Sequence, residues 1–385
     1  MPVEAVATPT GTTTMEITVS KFELLRELTA TQGVVERKTT IPILSNYLFE
    51  AAGDKLSLTA TDLDLSLRTS CNAKVKKEGS CTIPARKLHD YVKLLPDADI
   101  TIKLLENHWV SIRCGRSNTK MVGMAKSNFP SLPAFPTAGV VKIPAGVLRA
   151  MIAKTTFAIA NEESRYTLNG ALMVLKPESI TMVATDGHRL AHIERAGEKF
   201  EGVSGEMKTL VPKKAMDEIK SLLDSTEVET IDFAKDESTL YFRIGPRLLT
   251  SRQLTGQFPN YEAVLPKDNT KSVTVNCEDL SAAIQRVSQF ADERSRAVRM
   301  RMEKGELKLS ASSTEMGESE DTLETSYNGD SVTIGFNAQY LLDFLKATGS
   351  GEVRMEFKDA QSAGQLRPGE GDDYKYRYIV MPMRI

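Results

Sequence analysis

Apolar and polar positions repeat with two different periods along this chain. Alternation with period two over 56–67 and 180–186 predicts half-buried strands, because successive side chains of a strand point to opposite faces. Apolar residues three and four positions apart predict amphipathic helices. The segments with that helical spacing are 22–28, 88–95, 147–159, 215–223, 280–290 and 340–347.

The predicted elements recur three times in the same order. Each copy has a strand followed by a helix, then an alternating strand, then a strand followed by a second helix. The aligned positions are Val19, Ile143 and Val275, then Thr61, Thr185 and Ser312, then Pro84, Pro212 and Asn337. Successive copies are 124 to 132 residues apart. This period is far longer than the roughly 20–45 residues of a solenoid repeat, so it indicates duplicated domains.

We therefore expect three domains of one α+β fold, each with two helices packed on antiparallel sheets of about eight short strands. The expected boundaries are 15–137, 138–267 and 268–385. Residues 1–14 are rich in Thr, Pro and Ala and are predicted to be a disordered N-terminal extension. A length of 385 residues agrees with several domains, because a single core rarely grows past about 250–300 residues.

Composition narrows the class of protein. Hydrophobic residues make up 41% of the chain and charged residues 26%, which excludes a disordered, collagen-like or coiled-coil chain. The net charge is −2, so any contact with DNA has to come from local clusters of basic residues. No stretch approaches the length of about 18 apolar residues that a membrane span needs. The four cysteines form no C-x-x-C pair and indicate reduced thiols in the cytoplasm.

The segment ATDGHRLA at 184–191 is the best candidate for catalytic or metal chemistry. His188 and His192 are four apart, but no Glu follows His188 as the H-E-x-x-H pattern requires, so no metal site is predicted. Asp186 and His188 could act as an acid–base pair, but no nucleophile motif accompanies them. The chain also lacks a P-loop, and no cofactor is predicted.

Three two-helix domains suggest a ring. Two chains would supply twelve helices, and packed helices lie about 10 Å apart. With a helix diameter of about 10 Å, such a ring would leave a hole of roughly 28 Å, which is wide enough for a DNA duplex.

The chain resembles the bacterial DNA polymerase III beta subunit family from about residue 15 to its end. The motifs that carry the resemblance are TIPILSN (40–46), TDLDL (61–65), PARK (84–87), RYTLNG (165–170), ATDGHRLA (184–191), FPNYEAVLPK (258–267), IGFN (334–337) and YIVMPMRI (378–385). The resemblance implies a DNA-clamp fold and a head-to-tail homodimer that forms a ring of six domains. It also implies a non-enzymatic processivity factor that encircles duplex DNA without reading its sequence.

The resemblance further implies a hydrophobic cleft for short linear peptides between the second and third domains. Its residues would be Leu168, Thr185, Gly187, His188, Arg189, Leu190, Pro259, Val264, Tyr327, Ile379, Met381, Pro382 and Met383. Methionine and aliphatic side chains suit a site that accepts several related peptides, because they repack easily. Ala263, Gln361 and Ala363 depart from the pattern of many relatives, which affects the fine peptide preference.

By the same resemblance, the DNA-facing residues would be Arg37, Lys38, Arg86, Lys87, Arg165, Tyr166, Lys213 and Lys214. All of them suit contact with phosphates and not with bases. The dimer interface would join the strand around Arg116–Met121 to a segment from about Phe290 to Arg301 of the other copy. Exposed sheet edges invite such pairing.

The implied partners are a second copy of the chain, duplex DNA, the DNA polymerase III catalytic subunit and an ATP-dependent clamp loader. Other polymerases and repair proteins would bind through short peptides. Two alternatives stay open at this point. One is a three-domain enzyme that uses Asp186 and His188, and the other is a monomeric peptide-binding scaffold that never encircles DNA.

Overall fold

A computed structural model of the protein describes residues 15–35, 39–162, 164, 166–197, 199–369 and 373–384. Six α-helices occur in these residues, two in each repeat, and all the strand pairings described are antiparallel. The predicted α+β fold of three similar domains is thereby confirmed.

The elements of the first repeat are β1 (Glu16–Ser20), α1 (Lys21–Thr31), β2 (Asn46–Ala52), β3 (Lys55–Thr61), β4 (Leu65–Asn72), β5 (Lys74–Lys77), β6 (Gly79–Pro84), α2 (Ala85–Leu94), β7 (Asp99–Leu104), β8 (Trp109–Cys114) and β9 (Ser117–Val122). Those of the second are β10 (Val141–Pro144), α3 (Ala145–Thr155), β11 (Gly170–Lys176), β12 (Ser179–Thr185), β13 (Arg189–Ala196), β14 (Met207–Pro212), α4 (Lys213–Asp224), β15 (Thr230–Lys235), β16 (Thr239–Ile244) and β17 (Arg247–Arg252). Those of the third are β18 (Lys271–Asn276), α5 (Cys277–Ser288), β19 (Ala297–Glu303), β20 (Glu306–Ser313), β21 (Gly317–Glu324), β22 (Val332–Asn337), α6 (Ala338–Thr348), β23 (Glu352–Phe357), β24 (Gly364–Pro368) and β25 (Lys375–Val380).

Each helix begins directly after a strand, and the residue at the junction explains the start. Ser20, Asn276 and Asn337 cap α1, α5 and α6, because their side-chain oxygens accept backbone N–H groups of the first turn. Pro84 and Pro144 precede α2 and α3, where a missing amide donor costs nothing.

The chain forms two compact units. The first contains residues up to Val140 together with Ser221–Arg252, and the second contains Val141–Lys220 together with Gln253–Ile385. The second repeat is therefore divided, and its strands β15, β16 and β17 belong to the first unit. In that unit one sheet follows the order β15-β16-β17-β4-β3-β2-β6, and another follows β5-β1-β7-β8-β9.

The second unit contains an eight-stranded sheet and a four-stranded sheet. The larger sheet follows the order β14-β11-β12-β13-β25-β24-β23-β18, so it runs continuously from the second repeat into the third. Its central contact is the antiparallel pair β13 and β25. The smaller sheet follows the order β21-β20-β19-β22.

The same strand pairing joins successive repeats. The strand after the aligned Thr61, Thr185 or Ser312 is β4, β13 or β21, and the last strand of each repeat is β9, β17 or β25. β4 pairs with β17, and β13 pairs with β25. Within the described residues, β21 and β9 end their sheets and pair on one side only. Among the described residues, β9 of the first repeat and β21 of the third therefore lack the pairing that joins the other repeats.

Candidate functional site

A cavity of about 140 Å³ opens on the larger sheet of the second unit. Its lining residues come from both the second and the third repeat and are mostly apolar. They are Leu168, Thr185, Gly187, His188, Arg189, Leu190, Pro259, Tyr261, Val264, Ile379 and Met381. We call this cavity the cleft.

The floor of the cleft is a buried apolar cluster. Leu190 on β13 and Ile379 on β25 are directly opposite each other in the ladder, and both are almost fully buried. They pack with Leu172, Val174, Val183, Leu210 and Phe258. Because strands of two repeats meet here in one sheet, the two halves of the floor form a single apolar surface.

One wall of the cleft is the tight turn Thr185–Arg189. The carboxylate of Asp186 accepts the backbone N–H groups of His188 and Arg189 at 2.9 and 3.0 Å, and the Thr185 hydroxyl donates to the Arg189 carbonyl at 2.6 Å. Gly187 has a φ of 90°, a conformation that favours glycine because a Cβ is strained there. Asp186 thus stabilises the turn, and this structural role explains why it lies next to His188 without a catalytic function.

The guanidinium of Arg189 is held by three acceptors. It donates to Asp186 Oδ2 at 3.0 Å, to Asp343 Oδ2 at 2.6 Å and to the Phe157 carbonyl at 2.5 Å. It also lies over the Tyr340 ring, 4.3 Å from its centroid. Burial alone would lower the pKa of Arg189, but Tyr378, Asp343 and Asp186 around it raise the pKa above its ordinary value.

The C-terminal tail supplies the other wall. The Met381 amide donates to the His188 carbonyl at 2.9 Å, and the Met381 side chain is 45% exposed at the cleft. The Met383 amide donates to Gly335 on β22 at 2.8 Å. Met383 therefore covers a strand edge in the third repeat, as Leu254 does in the second repeat, where its amide donates to the Leu210 carbonyl at 3.1 Å.

The structure brings ten of the thirteen predicted cleft residues together around the cavity. Pro382, Met383 and Tyr327 are not among its lining residues. Tyr327 is 5% exposed, its hydroxyl donates to the Asp330 carbonyl at 2.7 Å, and its ring lies against Phe357. These contacts make it a packing residue of the third repeat.

Tyr261 lines the cleft and was missed by the sequence analysis. It stands within the FPNYEAVLPK motif, three residues before Val264, and its ring lies 5.7 Å from that of His192. His192 is 7% exposed, and burial, followed by the nearby Arg377, lowers its pKa. His192 therefore lies against Tyr261 as a buried ring with a lowered pKa.

Two of the three departures from the family pattern, Ala263 and Ala363, lie beside the cleft or its support. Ala363 packs against the apolar cluster. Ala263 is exposed beside Val264, and Gln361 is exposed in a turn whose backbone is held by Asp359.

The predicted DNA-facing residues are placed on helix starts and turns where the structure describes them. Arg86 and Lys87 are exposed in the first turn of α2, and Lys214 is exposed in the first turn of α4. Lys213 donates to Asn161 Oδ1 at 2.7 Å. Tyr166 is 73% exposed. Arg37, Lys38 and Arg165 lie outside the described residues.

The predicted interface residues have a mixed outcome. Arg116 is exposed in the turn before β9, and Met121 is half-buried on β9, at a free sheet edge. The segment predicted at the other end reaches into β19, which pairs with β20 on one side and β22 on the other. β19 therefore lies inside its sheet. Within the described residues the end strands of that sheet are β21 and β22, and β22 is bridged by Met383. Phe290 is half-buried directly after α5.

Other cavities have a different chemistry. One of them is about 710 Å³ and mainly polar, with Lys154, Arg354 and Arg367 in its wall. Arg354 and Arg367 both bind the Glu356 carboxylate, at 3.1 and 2.6 Å, so this one carboxylate offsets part of their charge. In the described part of the chain, no three His, Cys, Asp or Glu side chains group as metal ligands. No helix there is long and apolar enough to cross a membrane.

The triplicated fold with an apolar cleft at the contact of the second and third repeats defines a DNA clamp. Family models of the DNA polymerase III beta subunit match most of the chain: the N-terminal domain at 15–133, the central domain at 142–260 and the C-terminal domain at 262–384. The chain belongs to the DNA polymerase III beta subunit family. Its role in that family is that of a non-catalytic processivity subunit, which rules out the enzyme alternative.

Individual relatives agree with this assignment. The chain is 35% identical to the beta sliding clamp of Caulobacter vibrioides and 32% identical to that of Vibrio cholerae, in each case over 96% of this chain and all of the relative. A crystal structure of the Caulobacter crescentus clamp superposes with a TM-score of 0.90 at 34% identity, over 97% of this chain and all of that one. The Pseudomonas aeruginosa clamp bound to griselimycin superposes with a TM-score of 0.89 at 34% identity, over 96% of this chain and all of that one.

Proposed function

We propose that two copies of this chain close head to tail into a ring around duplex DNA in the cytoplasm. The ring tethers the DNA polymerase III catalytic subunit, and other polymerases and repair proteins, through short peptides that bind in the cleft. It is opened by a separate ATP-dependent clamp loader. The observation that carries this proposal is that β9 and β21, in the part of the chain that the structure describes, each pair with another strand on one side only.

Internal symmetry gives the register of the missing pairing. Ser66 is opposite the aligned Thr61, and Glu318 is opposite the aligned Ser312. Glu318 is therefore the equivalent of Ser66. Lys120 lies three residues after Ser117, which closes the turn Cys114↔Ser117. Thr250 lies three residues after Arg247, which closes the turn Ile244↔Arg247, so Lys120 is the equivalent of Thr250. Ser66 is opposite Thr250 in the first unit. Glu318 of one copy is therefore expected opposite Lys120 of the other.

The facing residues at these equivalent positions differ in chemistry from one contact to the next. The pair is Ser66–Thr250 at the first contact, Leu190–Ile379 at the second and Glu318–Lys120 at the proposed contact between copies. Only the apolar pair provides a floor for a hydrophobic peptide. The ionic pair suits a contact that must form between separate chains in one register, because complementary charges select the partner edge.

The charges along the two free edges are complementary beyond this one pair. β21 carries Glu318, Glu320, Asp321 and Glu324, and β9 carries Lys120 with Arg116 in the turn before it. A contact between different surfaces closes into a ring when the rotation allows.

Contact with DNA would come from the exposed basic residues at the starts of α2 and α4. Arg86 and Lys214 occupy the same position in their repeats, two residues after the aligned Pro84 and Pro212. Contacts of this kind hold phosphates without reading bases, and their affinity falls steeply with salt.

Charge reversal tests the register. We expect Lys120→Glu alone and Glu318→Lys alone to weaken the dimer, because each places like charges opposite one another at both contacts of the ring. An equimolar mixture of the two variants should form a heterodimer, since one contact is then reversed and the other is native. Sedimentation equilibrium or native mass spectrometry measures the species directly.

A matched control is Lys74→Glu, which reverses an exposed charge on β5 at the opposite edge of the same sheet as β9. It should leave the dimer intact. A monomeric wild-type protein would support the scaffold alternative, and failure of the mixture to pair would reject the proposed register.

A second prediction concerns the cleft. Griselimycin, which a relative binds, serves as the probe. We expect Met381→Asp to weaken its binding on the order of tenfold, because a carboxylate replaces an apolar wall. Met316→Asp is the control, since Met316 is 63% exposed but lies in the β20–β21 turn. Equal affinity of Met381→Asp and wild type in calorimetry would reject the role of Met381.

A further inference from the structure

Asp343 on α6 does not line the cleft, yet it is bound to a residue that does. Its Oδ2 atom accepts Nη1 of Arg189 at 2.6 Å, and its Oδ1 atom accepts the side-chain amide of Gln339 at 2.7 Å. Both oxygens of this carboxylate thus have defined partners, one in the second repeat and one in the third. The Asp343 side chain is 23% exposed and that of Arg189 is 9% exposed.

The wall of the cleft depends on where Arg189 is held. Arg189 is the last residue of the turn that contributes Thr185, Gly187 and His188 to the cleft. Its backbone N–H and its Nε atom both bind the Asp186 carboxylate, which organises that turn. Its remaining donors reach the Phe157 carbonyl and Asp343. Without Asp343, the guanidinium would lose its carboxylate partner in the third repeat and would keep Asp186 and Phe157 in the second repeat and the side chains of Tyr340 and Tyr378 in the third.

We propose that Asp343 is a positioning residue of the cleft, which acts through Arg189 to fix the Thr185–Arg189 turn relative to the third repeat. Bidentate and charge-assisted contacts give direction as well as affinity, because the guanidinium is planar and its donors are fixed in a fork. The cleft takes its walls from both repeats, which the β13–β25 ladder and the hydrogen bond from Met381 to His188 already join through the backbone. The bond to Asp343 adds a side-chain link that orients the guanidinium at the end of the turn. The proposal rests on the proposed peptide-binding function of the cleft.

The first repeat offers a matched control. Asp90 on α2 is the repeat equivalent of Asp343, since each lies six residues after the aligned Pro84 or Asn337. The Asp90 side chain is 68% exposed, and it contacts the neighbouring His89 at 3.4 Å. Asp90→Asn therefore removes the same charge from an equivalent helix position without touching the cleft.

The experiment measures griselimycin affinity by calorimetry for wild type, Asp343→Asn, Asp90→Asn, Arg189→Met and the Asp343→Asn/Arg189→Met double variant, with the melting temperature of each recorded. We expect Asp343→Asn to bind roughly tenfold more weakly and Asp90→Asn to bind as wild type does. The double variant should bind no more weakly than Arg189→Met alone, because Asp343 has no route to the cleft once the fork is gone.

A purely structural role would lower the melting temperature and leave the affinity of the folded protein unchanged. That result, or additive losses in the double variant, would overturn the proposal. Asp343→Glu keeps the charge and provides a folded comparison in case Asp343→Asn unfolds, and it should bind more tightly than Asp343→Ala. If wild type binds no griselimycin, the proposed function of the cleft fails, which is a distinct outcome.

Discussion

Phe290→Asp is expected to give a folded monomer. Phe290 lies fifteen residues after the aligned Val275, and its equivalents after Val19 and Ile143 are Val34 and Ala158. Both equivalents are fully buried, whereas Phe290 is only half-buried in the single chain. A second copy would complete its burial, and a carboxylate would then lie in an apolar contact without a partner.

The surroundings of Phe290 agree with an interface. A cavity of about 420 Å³ lies beside it, between the end of α5 and the start of α6. In the second unit, α3 packs against α6, the second helix of the next repeat. The equivalent contact between copies would place α5 against α2 of the other copy.

Size-exclusion chromatography with light scattering measures the outcome. The Phe290→Asp variant should elute at the mass of one 42.4 kDa chain and still bind griselimycin, because the cleft lies within one unit of one chain. Phe22→Asp is the control, since Phe22 is 68% exposed on α1 in the first repeat and should leave the dimer unchanged. A dimeric Phe290→Asp variant would reject this interface, and an unfolded one would assign Phe290 to the core.

Arg247→Met is expected to cause the largest loss of stability in the first unit. Arg247 on β17 binds Glu27 on α1 at 2.9 Å, and the two side chains are 3% and 0% exposed. Thr226 also accepts from Arg247, at 2.6 Å. Removing Arg247 leaves the buried Glu27 carboxylate with the 44% exposed Arg26 as its remaining ion-pair partner, at a cost of up to about 3–5 kcal/mol in free energy of unfolding.

The pH dependence identifies the cause. Burial alone would raise the pKa of Glu27, but hydrogen bonds from Arg247, Thr69 and Arg26 outweigh it and lower the pKa below its ordinary value. This contribution to stability is present at neutral pH and is lost as the pH falls through the lowered pKa. In the Arg247→Met variant the buried carboxyl prefers to be protonated, so the difference from wild type should shrink on acidification.

Urea unfolding of the two proteins at neutral and mildly acidic pH measures this difference. Arg252→Met is the control, because Arg252 is on the same strand but its ion pair with Asp64 is exposed on both sides, at 74% and 76%. Exposed pairs contribute little, so the control should unfold close to wild type. An equal loss in both variants, or a difference independent of pH, would contradict the buried-pair account.

The three-domain fold is readable from the sequence because period and order are local properties. The helical spacing at 88–95 and 340–347 predicted α2 and α6. The alternation at 56–67, interpreted as one strand, covers β3 and the start of β4, which residues 62–64 separate. Domain number followed from the recurrence of these elements. None of these steps requires knowledge of which strands pair.

Strand pairing is where sequence reasoning failed. The segment that ends at Arg301 was expected at a sheet edge, but β19 lies between two partners, because alternation does not reveal which neighbours a strand has. A usable signal was present in β21, where GESEDTLE carries acidic residues on both faces. Charges of this kind are typical of exposed edges.

The residues that line the cleft could be predicted only through the family resemblance. The residues that hold those side chains in place could not be predicted at all. Leu190 and Ile379 are distant in sequence and meet only because β13 pairs with β25. The partners of Arg189, Phe157 and Asp343, are 32 and 154 residues away from it. Tyr261 stood inside a recognised motif, but its side-chain direction depends on the buried His192.

Encirclement of DNA is tested most directly by retention on DNA of different topology. The protein is loaded onto a nicked circular plasmid with its clamp loader, and one half of the sample is then linearised with a restriction enzyme. The proposed ring predicts retention on the circle, loss from the linear form, and retention again when both linear ends are blocked by bound protein. Equal retention on circular and open linear DNA would show that the protein binds DNA without encircling it.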